Sequence, residues 1–183
     1  MTLSLRRQRP NTWKGMAAGL AGGLVAAWTM NQFQALLSKA SEKLKSNGAN
    51  GSGHKKNPSE GDAEDGTMKA ADKISSSVFG VNLTKEQKKK AGPVVHYFVG
   101  SATGALYGAF AEHIPAVTTA EGIPFGTAVF LGADEVAVPA FGLSKPPQEY
   151  PLSVHASALA SHLVYGATTE IVRKLLRQGL DKI

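Results

Sequence analysis

The chain has 183 residues, of which 43% are hydrophobic, and it carries 20 lysines and arginines against 14 acidic residues with no cysteine. The lack of cysteine excludes disulfide bonds and thiolate metal sites. The net charge of +6 suits nucleic acid or an anionic lipid surface. Because the sequence has no nucleic-acid-binding motif and its aromatic residues lie in apolar segments, the composition favours a membrane.

The first apolar segment runs from Gly15 to Leu37, with a helical extension to residue 45. A helix needs about 20 mostly apolar residues to cross a bilayer, and this segment is long enough. Gly15, Gly19 and Gly23 are four residues apart, so they share one helix face and are predicted to pack closely against another helix. They have no counterpart in the internal repeat described below. We therefore expect this stripe to be free to meet a partner membrane protein.

A basic tail, residues 1–14, precedes this segment and contains Arg6, Arg7 and Arg9. A second basic tail, residues 177–183, follows the last apolar segment. Positive charge at both ends favours both termini in the cytoplasm. An alternative is that the first apolar segment is a cleaved signal sequence.

A lysine-rich stretch follows and divides into two parts. Residues 46–66 consist of Gly, Ser, Asn and charged residues without apolar periodicity, which predicts a flexible linker. Residues 67–92 form an amphipathic surface segment, in which the helical spacing of apolar residues from Thr67 to Gly80 predicts a short helix on the membrane surface. Thr84 and Gln87 have the spacing of a capping box for a turn leading into the lysines at 88–90.

Residues 93–176 are predicted to form a three-helix membrane core. Its spans run from Pro93 to about Ile114, from about Gly122 to Leu143, and from about Ser153 to Leu175. Pro139, inside the third of the four predicted spans, should kink that helix.

A six-residue motif occurs twice in this core. Residues 107–112 read YGAFAE and residues 165–170 read YGATTE. Each copy closes a segment that a proline and a histidine open, Pro93 with His96 and Pro151 with His155. The glycines predicted to mediate helix packing in the two copies are Gly100, Gly104, Gly108 and Gly166.

The repeat predicts an all-α membrane protein with about four transmembrane helices, built as two related hairpins. The first span pairs with the second and the third with the fourth, and the packing is glycine-rich. A soluble helical bundle with a core rich in alanine and glycine is the alternative, because none of the four segments is strongly hydrophobic.

Ionisable groups inside a membrane are costly, so those in or near the spans are candidate proton- or ion-relay residues. They are Asp134, Glu135, His162, His96, His155, Glu112 and Glu170. His96 and His155 should form one layer near one surface, and Glu112 and Glu170 another near the opposite surface. Asp134, Glu135 and His162 fall near the middle of their spans.

The same residues also have a packing interpretation. His162 can donate a hydrogen bond to Asp134 or Glu135 and hold the last two spans together. Glu112 and Glu170 can pair with His113 and Arg173. Metal binding by the central cluster and haem ligation by His96 and His155 are further alternatives, but we predict no metal and no cofactor.

A further set of residues recurs in a known family: Val78-Phe79-Gly80, His96 with 104–108, Glu112, Pro115, 139–143, His162 with Tyr165-Gly166, and Glu170 with Arg173. Through these residues the chain resembles the YagU-like family of uncharacterised bacterial inner-membrane proteins. The resemblance implies a multi-pass inner-membrane protein without an assigned reaction, loosely associated with acid tolerance. It implies no catalytic residues.

The sequence has no nucleophile motif, phosphate loop or dinucleotide fingerprint, so an enzyme is not expected. We expect a structural or accessory protein of the lipid bilayer, with a membrane-protein partner or as a homo-oligomer, and no nucleic acid. One alternative is a small oligomeric proton- or ion-conducting protein that uses Asp134, Glu135 and His162. Another is a peripheral helical protein bound to anionic membrane surfaces.

Overall fold

The structure, a computed structural model, describes residues 10–48 and 66–182, and its regular elements within those ranges are all helical. Most of the basic N-terminal tail and most of the predicted linker lie outside the described residues. The α-helices are α1 Thr12–Gly48, α2 Gly66–Phe79, α3 Lys85–His113, α4 Ile123–Val129, α5 Val138–Ala140 and α6 Leu152–Leu180.

α1 packs against both α3 and α6, and α4 packs against α6. α1 runs antiparallel to α3, since Gly15 lies against Gly108 and Gly23 lies against Gly100. α4 runs antiparallel to α6, and α3 and α6 run in the same direction. The start of α1 and the end of α6 therefore meet, and the Lys14 side chain donates a hydrogen bond to the carbonyl of Leu180 at 2.5 Å. We call this the terminal end of the bundle and the opposite end, near α2, the lysine end.

The backbones of α1 and α3 are in direct contact. A Cβ atom placed on Gly104 would lie 2.7 Å from Cα of Gly23, and one on Gly19 would lie 2.9 Å from Cα of Gly108. A side chain would overlap the opposite backbone at either position, so only glycine fits. The glycine face of α1 is therefore filled by α3 of the same chain, contrary to the prediction that it is free to meet a partner.

α4 and α6 make the second contact of this kind. A Cβ atom on Gly166 would lie 2.8 Å from Cα of Gly126. At the start of α4, Gly122 has a φ of 80°, in the left-handed region that favours glycine, and a Cβ there would lie 3.0 Å from Cβ of Glu170. Gly108 and Gly166, which are equivalent in the sequence repeat, thus each face a glycine on an antiparallel neighbour.

The third predicted span is not one regular helix. A 3₁₀ segment covers Pro115–Gly122, and its backbone leaves the helical region at Thr119. Beyond α4, Phe130–Ala137 forms a π-helix, and the N–H of Val138 bonds to the carbonyl of Ala133, five residues back. Proline has no N–H to donate, and the π-helix stands immediately ahead of Pro139. Where the sequence predicted a kink at this proline, the structure has a widened π-helical turn on its N-terminal side.

One helical run in the described part of the chain, Pro115–Ala140, is long and apolar enough to cross a membrane by length and composition, with a mean hydropathy of 1.2. Because its backbone breaks at 119–122, the unbroken part covers 123–140 and includes the π-helix. Within the described residues, α1, α3 and α6 do not meet the same hydropathy criterion. Their glycine, serine and threonine residues lower the mean hydropathy.

The bundle buries polar side chains and exposes large apolar ones. The polar or charged residues buried in the described part are Ser161, His162, Thr169, Glu170, Arg173 and Arg177. Alanines make up most of the buried apolar residues. On the outer side of α3, by contrast, Val94, Phe98, Leu106 and Phe110 are each more than half exposed. Water-soluble proteins usually bury large apolar side chains and rarely bury charged ones.

α2 is joined to α3 by a well-defined turn. Gly80, with a φ of 69°, ends α2 and donates its N–H to the carbonyl of Ser76 at 3.1 Å. The predicted capping box is confirmed. The amide of Gln87 donates to Oγ1 of Thr84 at 3.3 Å, and the amide of Thr84 donates to Oε1 of Gln87 at 2.8 Å. The box opens α3 itself, a long helix where the sequence predicted a turn.

Asp72 of α2 ties this turn together. Its carboxylate accepts a hydrogen bond from the amide of Leu83 at 2.7 Å and pairs with Nζ of Lys88 at 2.8 Å. The hydrogen bond from Lys88, followed by the one from Leu83, lowers the pKa of Asp72 below its ordinary value of 3.8. The contact therefore stabilises the turn fully above that value and is lost as the pH falls through the lowered pKa.

If the glycine contacts determine packing, Gly104→Ala should lower the free energy of unfolding by about 1–3 kcal/mol, because its Cβ meets backbone on α1. Gly179→Ala is the control, since nothing lies within 4 Å of its Cβ, and it should be neutral or stabilising by up to about 1 kcal/mol. Denaturant unfolding in detergent, followed by circular dichroism, compares the two variants. Equal effects would contradict the packing role.

The Asp72 contact makes a pH-dependent prediction. The amide NMR signal of Leu83, recorded in detergent micelles, should titrate with a midpoint below 3.8, because the carboxylate that it contacts has a lowered pKa. Asp72→Asn should abolish that titration. A midpoint at or above 3.8 in the unmodified chain would show that Lys88 and Leu83 do not stabilise the carboxylate.

Candidate functional site

The most deeply buried charges lie near the terminal end, on α6. Glu170 is completely buried, and both of its carboxylate oxygens accept hydrogen bonds from Arg173, at 2.7 and 2.8 Å. The hydroxyl of Tyr107 on α3 donates to the same carboxylate at 2.8 Å. Arg173 lies one helical turn after Glu170, which confirms the predicted pairing of these two residues. The bidentate geometry is the strongest form of this interaction.

A second pair joins three helices. Arg177 of α6 donates two hydrogen bonds to Glu112 of α3, at 2.7 and 3.0 Å, and also pairs with Asp181. The amide of Asn11, just ahead of α1, donates to the Glu112 carboxylate at 2.8 Å. This set of contacts fixes the axial register of α1, α3 and α6 relative to one another.

The predicted pairing of Glu112 with His113 is wrong. His113 instead lies beside Thr12, with 2.8 Å between its Nε2 and the threonine hydroxyl. Consecutive residues on a helix point about 100° apart, so Glu112 and His113 face different neighbours. Arg177, predicted to lie in a basic C-terminal tail, is inside α6 and 2% exposed.

Further charges surround these pairs at the terminal end. Lys174 pairs with Glu121 at 2.7 Å and lies 3.7 Å from Glu170, and Lys14 lies 3.7 Å from Asp181. The acidic members of this terminal network are Glu112, Glu121, Glu170 and Asp181, and the basic members are Lys14, Arg173, Lys174 and Arg177. Their charges balance. Each carboxylate has a cationic partner within the chain, which is the arrangement of a structural network.

The remaining candidate relay residues lie toward the lysine end. Glu135 pairs with His155, with 2.6 Å between Oε1 and Nδ1, and the other ring nitrogen of His155 lies 3.0 Å from the carbonyl of Pro147. Nδ1 of His162 lies 2.9 Å from the carbonyl of Ala158 and 3.6 Å from the carboxylate of Asp134.

Of the predicted central cluster, Asp134 and His162 lie close together, with 3.6 Å between the carboxylate and Nδ1, whereas Glu135 pairs with His155 instead. Asp134 and Glu135 are consecutive in the π-helix, so they point in different directions, and each faces a different histidine. The predicted layer of His96 and His155 is also altered, since Glu135 accompanies His155 in it. His96 interacts electrostatically with Asp134, and its Nε2 is buried with no hydrogen-bond partner.

In the described ranges, no group of three or more His, Asp and Glu residues is arranged to hold a metal ion. Sequence reasoning missed Tyr107, Asn11 and Arg177 as members of the terminal network. The repeat identified Tyr107 only as a residue that the two copies share. The pair formed by Glu112 and Arg177 has no local spacing that could have revealed it.

The terminal network makes a testable prediction. Arg173→Met leaves the Glu170 carboxylate buried without its main partner, and it should lower the free energy of unfolding by about 3–5 kcal/mol. The double variant Glu170→Gln with Arg173→Met removes both charges and should recover much of that loss. The control is Lys145→Gln, which breaks an exposed pair with Glu149 and should have little effect.

Unfolding in detergent, measured for the four proteins under one condition, tests this prediction. A double variant no more stable than Arg173→Met would contradict the coupling of the two residues.

Comparison with known sequences gives a family but no characterised relative. The family DUF1440, described as a protein of unknown function, matches residues 68–171. No curated protein and no solved structure matches the chain. The match extends from α2 into α6 and includes the glycines of α3 and the six-residue repeat, whereas α1 lies outside it. Because the match covers more than half of the chain, this protein belongs to the DUF1440 family of proteins of unknown function.

Proposed function

We propose that the chain is an integral inner-membrane protein with a structural or accessory role. In this proposal α1, α3, residues 123–140 and α6 are its four spans, arranged as two antiparallel hairpins. The observation that carries the proposal is the inverted distribution of side chains, with charges buried between helices and large apolar residues facing outward. Intramembrane charges behave in this way, because they face the bundle interior and pair with one another.

The dimensions of the bundle support the same proposal. On α3 the distance from Pro93 to Glu112 is about 29 Å at the helical rise, close to the thickness of a bilayer core. Val94, Phe98, Leu106 and Phe110 lie within this length and are exposed. In lipid these side chains need no partner protein, whereas in water they would form a large apolar surface.

The accessory role rests on the closed terminal network and on the exposed surface. Because the carboxylates of the network are paired within the chain, that region is better suited to hold helices than to act on a substrate. Leu20, Leu24 and Trp28 are four residues apart on α1 and about half exposed. This outer face of α1, in place of the filled glycine face, is the one we propose for contact with a membrane-protein partner or a second copy.

The resemblance to the YagU-like proteins supports a bacterial inner-membrane location. We propose a distant YagU-like relationship within the DUF1440 family, with acid tolerance as the phenotype to examine. The shared residues include Gly104, Gly108 and Gly166. Each of these packs against a neighbouring helix, so the resemblance extends to the positions that determine packing.

Membrane insertion and topology test the proposal. Reporter fusions after Thr119 and Ile183 should lie on one side of the membrane, and fusions after Lys45, Lys90 and Lys145 on the other. The unfused protein should stay in the membrane pellet after a carbonate wash, because the spans are buried in lipid. Release by carbonate or high salt, with all fusions on one side, would support the peripheral alternative and contradict this proposal.

Proton or ion conduction is a second candidate function, favoured by one observation. The buried Nε2 of His96 has no hydrogen-bond partner and lies in the part of the bundle where His96, Asp134 and His162 interact. An imidazole nitrogen that makes no hydrogen bond can accept a proton or ligate a cation.

Flux measurements in proteoliposomes test conduction. If the chain conducts, Asp134→Asn with Glu135→Gln should abolish the flux, whereas Lys145→Gln, an exposed loop substitution, should preserve it. Flux through the unmodified protein no greater than through empty vesicles would rule out this candidate and leave the structural role.

A further inference from the structure

Three ionisable side chains from three helical segments meet toward the lysine end of the bundle. The carboxylate of Asp134, in the π-helix, lies 3.6 Å from Nδ1 of His162 on α6. Asp134 also interacts electrostatically with His96 of α3. Nε2 of His96 is buried and has no hydrogen-bond partner. We call these three residues the His96 cluster.

The His96 cluster carries one negative charge when both imidazoles are neutral and Asp134 is ionised. Nδ1 of His162 lies 2.9 Å from the carbonyl of Ala158, and since a carbonyl only accepts, this nitrogen carries a hydrogen. The carboxylate next in the chain, Glu135, is already paired with His155 at 2.6 Å. An unbalanced charge between helices in a membrane is costly. One added proton would make the cluster neutral overall.

The other titratable groups around the cluster are engaged elsewhere. The hydroxyl of Tyr165, one turn farther along α6, donates to the carbonyl of Gly100 at 2.7 Å. The hydroxyl of Tyr97 accepts a hydrogen bond from the side-chain amide of Asn31 at 3.3 Å. α1 packs against both α3 and α6, and its residues 26–31 contain no ionisable side chain. The buried nitrogen of His96 is thus the group of this region that is left to accept a proton.

The cluster lies close to the surface at the lysine end. His96 is three residues inside Pro93, about 5 Å at the helical rise, and sixteen residues from Glu112, about 24 Å. Lys90 of α3 and Lys69 of α2 both lie on the outer side of Pro93, because Met68 packs at the level of Gly92. Water at the lysine end is therefore the nearer source of a proton.

Aromatic rings close the opposite side of the cluster. The rings of Tyr107 and Phe125 stack with 4.1 Å between their centroids, and the Phe125 ring lies 5.8 Å from that of Tyr165. Tyr165 and Phe125 also belong to the buried apolar core. Tyr165 is three residues after His162 on α6, and Glu170 of the terminal network is five residues farther on. These rings thus separate the cluster from the charges of the terminal network.

We propose that the His96 cluster is a proton-binding site that opens to water at the lysine end and is closed toward the terminal end. A proton from that water binds the lone pair of Nε2 of His96, and the carboxylate of Asp134 balances the imidazolium charge. The proton leaves to the same side, so the cluster binds it without conducting it. This inference rests on the proposed membrane insertion.

A proton fits this site better than a metal ion does. A proton needs one lone pair, whereas a metal ion needs several ligands that converge on one point. Among the residues that the structure describes, no three His, Asp or Glu side chains converge in this way. An imidazole exchanges protons near neutral pH, so binding and release are both available to the cluster.

Access from one side is tested with single-cysteine variants of the full chain, which has no native cysteine. Asp134→Cys in membrane vesicles should react with a membrane-impermeant methanethiosulfonate added on the side that carries Lys145, and not on the opposite side. Lys145→Cys and Lys182→Cys mark the two sides, since both positions are exposed and lie at opposite ends of the bundle.

Proton binding is tested by NMR of the chain labelled at its five histidines, in lipid nanodiscs. The imidazole signal that is missing from His96→Gln identifies His96, and in the unmodified chain it should move with pH between about 5 and 8. Asp134→Asn should lower the midpoint of that movement by about one pH unit or more, because the carboxylate favours the charged ring. Glu149→Gln, which removes an exposed carboxylate before α6, is the control and should leave the midpoint unchanged.

The outcomes separate this inference from the proposed function. A His96 signal that does not move with pH, or a midpoint that Asp134→Asn leaves unchanged, would overturn the proton site. Labelling of Asp134→Cys from the Lys182 side or from neither side, in a protein that resists carbonate, would overturn the one-sided access and leave membrane insertion standing. Proton flux above that of empty vesicles would also contradict the closed side. Release of the unmodified chain by carbonate would overturn the proposed function itself.

Discussion

The close approach of helix backbones at glycine is the constraint on which the rest of the structure depends. Gly104 and Gly108 of α3 accommodate α1, and Gly166 of α6 accommodates α4. Glycine inside a helix lowers helix stability by about 1 kcal/mol relative to alanine. At these positions the contact between helices offsets that loss. Moving α1 outward by the width of one side chain would separate Asn11 from Glu112.

The terminal network depends on that approach and contributes mainly to specificity. A buried ion pair gains little stability over a well-packed apolar pair, but breaking it is costly. Because Glu112 of α3 pairs with Arg177 of α6, and Glu170 of α6 accepts a hydrogen bond from Tyr107 of α3, a shift of α6 by one turn would deprive both buried carboxylates of their partner on the other helix. The network therefore selects one register among the many that smooth glycine faces permit.

The network also bears on orientation in the membrane. The expectation of cytoplasmic termini drew on the basic tail at residues 177–183, which begins with Arg177. Arg177 is buried and paired with Glu112 near the terminal end. The exposed lysines of residues 66–92 lie at the other end of the bundle. Side chains that appear as flanking charges in the sequence are thus internal cross-links in the structure.

Sequence patterns predicted the local features of this fold and several of its contacts. The helical spacing of apolar residues predicted α2, and Thr84 and Gln87 form the predicted capping box. Glu170 and Arg173, three residues apart on one helix, form the predicted ion pair. Each of these features is decided by residues within one or two helical turns.

The features that sequence did not predict depend on residues distant in the chain or on the backbone path. The four-residue spacing identified the glycine face of α1 but not the helix that packs against it. A helix of the same chain and a helix of a partner protein need the same small residues on that face. The pairing of Glu112 with Arg177 requires two helices in register. The backbone break at Thr119 and the π-helix before Pro139 reoriented side chains that a regular helix would have placed elsewhere.

A disulfide cross-link between α1 and α3 tests the central claim most directly. Ala27 is fully buried, and a Cβ on Gly100 would lie 3.0 Å from its Cβ. Ala27→Cys with Gly100→Cys should therefore form an intramolecular bond in native membranes, after a small adjustment toward disulfide geometry. With a protease site inserted between residues 48 and 66, the two fragments should stay joined until reductant is added. Fragments that separate without reductant, or a product of dimer size, would show that the glycine face of α1 is not filled by its own α3.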